Sequence, residues 1–289
     1  MARAAALPPP AAFRISMRTG FSLPAELGLV ALTLVVLLFL VYPTAWVIVA
    51  SFKTPETMFS ARVIEFSFVN YVTLFQTGFA RNIFNSLYLC ALATVISTFV
   101  SVLAAYTFSR LRFKAKRMIF GSVLLGQCFP WIILVTPLFI LFAQLGLLNH
   151  HLGMLFVYVA ISIPFSVYLL VGYLESVPRE LDEAAIIDGC SRFQIIWRII
   201  FPIMLPGIVA TATYAFMLCW TEYLFALAFL TKMHLKTMPL GLYAFFGEDT
   251  TEWGNIMAAS ALTTFPTLLL FLPLQSRMAS GLAAGSVKQ

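Results

Sequence analysis

Side chains able to do chemistry are scarce in this 289-residue chain, and they gather in two places. The first is an acidic stretch, in which Glu175, Glu180, Asp182, Glu183 and Asp188 put five of the twelve carboxylates between residues 175 and 203. Within it runs Glu183-Ala184-Ala185-Ile186-Ile187-Asp188-Gly189. The second is Glu222, flanked by Trp220 and Tyr223 in an otherwise apolar run. An ionisable group in apolar surroundings is costly unless it faces a bundle interior or a wet cavity. The aromatic neighbours offer faces and polar tips suited to a polyhydroxylated ligand. A carboxyl hydrogen-bonded across helices for structure alone is the other reading of Glu222, and both stay open.

Catalytic and nucleotide chemistry has no visible carrier. The nearest approach to a phosphate-binding loop is Gly121, four residues, then Gly126-Gln127-Cys128. It has Gln where the phosphate-pairing Lys is needed and Cys where the Mg-binding hydroxyl is needed, so ATP would not be held there in that manner. No catalytic pair, nucleophile elbow or clustered His/Cys set is expected, hence no metal site. His150, His151 and His234 fall in expected outer loops, where solvated imidazoles are the default. The four cysteines show no CxxC spacing and are expected as reduced or buried thiols.

The elements around these residues are set by composition. Hydrophobic residues make up 61% and charged residues 10% of the chain, against roughly 45–50% and about 25% in soluble domains. A water-soluble fold would lack polar surface. The net charge of +6 comes from eighteen Lys and Arg spread over loops and tails, which is no nucleic-acid patch. Apolar runs long enough to cross a bilayer lie near 27–50, 84–108, 118–143, 153–174, 204–230 and 256–275. The fold class is therefore all-α: a polytopic membrane protein of six transmembrane helices over 27–275, with tails at 1–26 and 276–289. The first run passes straight into Ser51-Phe52-Lys53 without a small-residue cleavage site, so it is expected as a retained helix.

Basic residues orient the bundle. With the N-terminus inside, thirteen fall on the cytoplasmic side and five (Lys53, Arg62, Arg81, Lys232, Lys236) outside. Both termini and the 175–203 loop are thus expected in the cytoplasm. In the second run Ala93, Ser97, Ser101 and Ala105 recur every four residues, a small-residue face for close helix packing. Prolines at 130, 137, 164, 206, 266 and 273 predict kinks in four of the runs.

The acidic loop reads as a helix, a glycine and a second helix. Pro178 suits a first helical turn, and Glu180, Asp182 and Glu183 complement the positive end of the dipole. Gly189 can take the left-handed conformation that closes the helix over about 178–188. Ser191 and Gln194 have capping-box spacing, and Phe193, Ile196, Trp197 and Ile200 then share a face of a second helix ending at Pro202. On the first helix Leu181, Ala184, Ala185 and Asp188 share a face where methyl-sized side chains would admit a partner closely. An amphipathic helix lying on lipid would favour Lys and Arg instead.

Glu183-Ala184-Ala185, two residues, Asp188-Gly189, nine residues, then Ile199-Ile200-Phe201-Pro202 resembles the EAA loop of permease subunits of bacterial ABC importers. Cys190 and Phe201 depart from the commoner Ala and Leu but keep apolar character. Trp220-Thr221-Glu222-Tyr223 and the Gly281–Lys288 tail are similar to stretches of the maltose-transporter-like carbohydrate branch, in its second, six-helix permease. The resemblance implies a heterodimer with a second permease and two copies of a cytoplasmic ATPase, the subunit that uses ATP and Mg. It also implies an extracytoplasmic sugar-binding protein, a bacterial inner-membrane location among lipid, and no catalysis or cofactor in this chain. It assigns ATPase coupling to Glu183, Ala184, Ala185, Asp188, Gly189 and Pro202, while Trp220, Glu222 and Tyr223 are candidates for the substrate path. An ion- or proton-coupled secondary transporter would leave the acidic loop unexplained, and a membrane-embedded enzyme would lack a catalytic set.

Overall fold

A computed structural model describes residues 23–60, 66–247 and 251–285, with side chains described over 26–60, 66–247 and 251–270. The chain divides into two units, Met1–Trp46 and Val47–Gln289. The first unit is described from Leu23 and consists of most of α1 (Leu23–Ser51), whose residues 26–46 are exposed. The expected N-terminal tail lies mostly outside the described residues.

The regular structure of the second unit is helical in its described parts, apart from one isolated bridge between Phe246 and Thr251. After α2 (Val69–Gln76) comes α3 (Phe79–Arg110), the central helix, which packs against α6 (His151–Glu175) and α9 (Phe201–Trp220). The small-residue face explains its place, because Ala93, Ser97, Ser101 and Ala105 are all fully buried. Removing side-chain bulk lets neighbouring backbones come close, which is how helices associate where no hydrophobic effect drives them together. Gly207 does the same for α9: a Cβ there would lie 2.6 Å from the Tyr173 ring of α6.

Two expected spans are interrupted. The run at 118–143 forms α4 (Lys116–Leu125), a short 3₁₀ turn and α5 (Trp131–Gln144), bent by 100°. Pro130 stands at the bend as the residue before α5, where a missing N–H costs nothing. The run at 204–230 also stops, at Trp220, and resumes as α10 (Leu224–Phe229). Mean hydropathy over each run did not reveal either break, since only Gln127 at the first and Thr221 and Glu222 at the second interrupt otherwise apolar sequence. Among the described residues four helices are long and apolar enough to cross a membrane, or five if the bent pair is one span. The run expected at 256–275 lies within α12 (Trp253–Gly285), whose backbone continues past the expected tail boundary at 276.

The segment between α10 and α12 contains α11 (Met238–Tyr243) and is tied to α3 by polar side chains. Asn85 donates to the His234 and Lys236 carbonyls at 3.0 Å each, and Ser86 accepts from the Met238 N–H at 2.7 Å. Of the histidines expected as solvated, His150 is exposed and accepts from the Leu152 N–H, whereas His151 is half-buried with Nε2 3.0 Å from the Leu235 carbonyl.

Candidate functional site

The acidic loop forms a closed joint. Its first helix, α7 (Glu180–Ile187), starts two residues after Pro178 and carries Glu180, Asp182 and Glu183 in its first turn. Gly189 has φ +80°, its N–H donates to the Ile186 carbonyl at 3.0 Å, and the Cys190 N–H donates to the Ala185 carbonyl at 2.9 Å. This is the paired bonding that closes a helix on a left-handed glycine. The capping box follows at once. The Gln194 N–H donates to Ser191 Oγ at 3.3 Å, and the Ser191 N–H donates to Gln194 Oε1 at 2.8 Å.

The second helix differs from expectation in period and in length. α8 (Arg192–Gln194) passes into a π-helical turn over Ile195–Ile200, and the Phe201 N–H donates to the Ile196 carbonyl, five residues back. Proline 202 explains the widening: it has no N–H for the carbonyl four residues back, and its ring would press on it. The buried set is accordingly Ile195, Ile196 and Ile200, while Phe193 is exposed. Trp197 packs on Phe99 of α3 with ring centroids 5.6 Å apart. The helix does not end at Pro202. It continues without interruption from Arg192 to Trp220.

Burial also corrects the expected docking face. Ala185 turns inward against α3, α6 and α9 residues, whereas Leu181, Glu183, Ala184, Ile186 and Asp188 are exposed and Ile187 is 86% exposed. The presented surface is thus apolar at its centre with carboxylates beside it. Asp182 is buried because it forms an ion pair with Arg110 at the end of α3, Nε to Oδ2 2.9 Å, with side-chain exposures of 5% and 9%. Arg110 also donates to the Val177 carbonyl at 2.9 Å, and Arg179 donates to the Ser109 carbonyl at 3.1 Å. In the sequence Arg110 counts only among the cytoplasmic basic residues and Asp182 only among the partners of the helix dipole. No local spacing could pair residues so far apart in the chain.

At the far end of the same helix the three path candidates separate. Trp220 is buried, stacks on Phe216 with centroids 5.6 Å apart, and donates from Nε1 to the Thr263 carbonyl at 3.2 Å. Glu222 sits in the break between α9 and α10 rather than inside a continuous span. Its Oε1 accepts from the Phe225 N–H at 2.7 Å and its Oε2 from the Ala226 N–H at 3.2 Å. It thereby satisfies two of the donors that a new helix leaves open and places negative charge at the positive end of the dipole. Tyr223 lies beside Tyr243, ring centroids 5.5 Å apart. Trp220 and Tyr223, without Glu222, line a cavity of about 460 Å³.

Comparison with known proteins gives the family and the fold. Residues 97–280 match the family described as binding-protein-dependent transport system inner membrane component. The chain is 36% identical to the trehalose/maltose transport system permease protein of Thermococcus litoralis over 86% of this chain and 91% of that one. It is 32% identical to the diacetylchitobiose uptake system permease protein of Streptomyces coelicolor, over 86% and 92%. The fold is similar to a chain of a bacterial ABC transporter involved in the import of the acidic polysaccharide alginate, with TM-score 0.75 and 20% identity over 89% of this chain and 98% of that one. With a closed helix–glycine–helix loop at one end of its bundle and family similarity over most of its length, the chain belongs to the inner-membrane permease components of binding-protein-dependent ABC importers.

Proposed function

We propose that this permease imports a sugar or a related polyhydroxylated solute, acting as the second permease of a heterodimer, and that the 175–203 loop is its ATPase-docking element. The observation that carries the reading is the unbroken helix from Arg192 to Trp220, which joins the loop to the cavity. At ~1.5 Å per residue its 29 residues span a bilayer. The names of relatives that handle trehalose, maltose and diacetylchitobiose support the substrate class. In this arrangement both termini and the loop are cytoplasmic, and an extracytoplasmic binding protein delivers substrate to the opposite end. Two ATPase copies hydrolyse Mg-ATP outside this chain.

Glu183, Ala184 and Asp188 present the α7 surface; Ala185, Gly189 and Pro202 set its position. ATP binding acts by favouring one ATPase arrangement, and hence one arrangement of the attached helices. Shifting such an equilibrium from mostly one state to mostly the other takes about 5.5 kcal/mol of differential affinity. The joint must carry that without yielding. Affinity purification of the complex followed by uptake into proteoliposomes tests the proposal. An ATPase subunit should co-purify, and uptake should need ATP and survive dissipation of ion gradients. Uptake that ran on a proton or ion gradient without ATP would favour a secondary transporter.

A further inference from the structure

We infer that the cavity between α9, α11 and α12 is a binding site in this subunit for a neutral carbohydrate ring, with Tyr243 and Thr267 among its contact residues. The inference rests on the sugar-import reading and adds the site and the charge class of the ligand. About 460 Å³ of space is bounded by Trp220 and Thr221 at the end of α9, Tyr223 in the break, Tyr243 on α11, and Thr263, Thr264 and Thr267 on α12. That volume lies within the ~300–1,000 Å³ usual for small-molecule sites.

Three features of the lining point to the ligand. Aromatic rings reach the cavity from Tyr223 and Tyr243, with the buried Trp220 beneath them, and such faces suit the apolar C–H side of a sugar ring. Trp220 is already fixed by its bond to the Thr263 carbonyl and its stack on Phe216, so little side-chain freedom would be lost on binding. Hydroxyls form the second feature. Thr263 and Thr264 spend their protons on the Ser260 carbonyl at 2.7 and 2.9 Å and keep oxygen lone pairs to accept. Tyr223 and Tyr243 carry hydroxyls that can both donate and accept.

The third feature is charge. Among the described residues no Asp, Glu, Lys, Arg or His lines the cavity. Glu222, the nearest carboxylate in sequence, has both oxygens committed to the backbone of α10. An anionic or cationic substrate would enter such a cavity without a counter-charge and at a desolvation cost. A neutral polyol loses only hydrogen bonds that the hydroxyls can replace.

The assembled transporter, with its ATPase, second permease and binding protein, would be reconstituted and given maltose, trehalose and glucose as neutral probes, and glucuronate and glucosamine as charged ones. The expected result is import of a neutral probe. Tyr243→Phe and Thr267→Val should each raise its KM roughly threefold to tenfold, the scale of one lost hydrogen bond. Tyr243→Ala should raise it further. All variants should retain their partner subunits on purification. Unchanged KM in all three would overturn the site while leaving sugar import intact. Loss of the second permease in all three would overturn it too, by making this face a subunit contact. Import of a charged probe alone would refute the neutral class, and a wild-type complex that imported no carbohydrate would refute the sugar reading itself.

Discussion

The two ends of the Arg192–Trp220 helix are held in opposite ways. At the loop end every joint is closed: the glycine turn, the capping box, and the buried Arg110–Asp182 pair that fixes α7 to α3. At the other end the helix breaks at Thr221–Tyr223, and one carboxylate carries the first donors of the next helix. On the proposed reading, one end transmits force and the other leaves a cavity. A buried charge left without its partner costs about 3–5 kcal/mol, which is comparable to the ~5.5 kcal/mol a full conformational switch requires.

Breaking the anchor should have the largest effect. Asp182→Ala leaves the buried Arg110 with the Val177 carbonyl but without its counter-charge, and by up to about 3–5 kcal/mol should lower thermal stability and abolish uptake. Replacing both partners together, Arg110→Met with Asp182→Leu, removes the stranded charge and should recover most of the stability. If the double variant still imports solute, the ion pair holds the loop only by filling space; if it folds but does not import, the pair's geometry matters for transmission. Scanning calorimetry beside proteoliposome uptake measures both.

Gly189→Val comes next. No atom lies near enough to clash with a Cβ at this position, so the penalty is the left-handed backbone alone, roughly 1–2 kcal/mol. Uptake should fall with insertion into the membrane unchanged, while Gly189→Asn, which tolerates that conformation, should retain most of it. Glu183→Lys, which places a cation on the exposed face of the same helix, should reduce ATPase retention during purification.

The Trp220 end should be the more tolerant. Glu222→Leu strips two backbone donors of their acceptor and should cost on the order of 1 kcal/mol, as for a lost helix cap. Glu222→Gln keeps one amide oxygen and should lose less. Uptake and the amount of assembled complex, measured for both, would sharpen the comparison. If Gln and Leu alike abolish transport at full assembly, Glu222 touches the solute as well as the helix.

Much of the 175–203 loop was legible because its determinants are local. A glycine four residues after Ala185 and a Ser–Gln pair three apart act through bonds between neighbouring residues, and the structure has them where spacing put them. The small-residue face of α3 was legible for the same reason, since every fourth residue shares a side of a helix. The anchor was not, because Arg110 and Asp182 meet only when α3 and α7 pack. Nor were the break at Thr221–Tyr223 and the π turn before Pro202. An apolar run shows that a helix crosses a membrane without showing where it stops, and a face assigned at 3.6 residues per turn goes wrong where the turn widens. Tyr243 and Thr267 carried no signal of their own and join Trp220 only through the tertiary fold.

The central claim is that the exposed face of α7 is where the ATPase engages. A photo-crosslinking amino acid placed at Ile187, the most exposed large apolar side chain of that face, tests it in the assembled complex. The account predicts that illumination joins this chain to the ATPase subunit. Capture of lipid alone, with the ATPase still present in the complex, would contradict it.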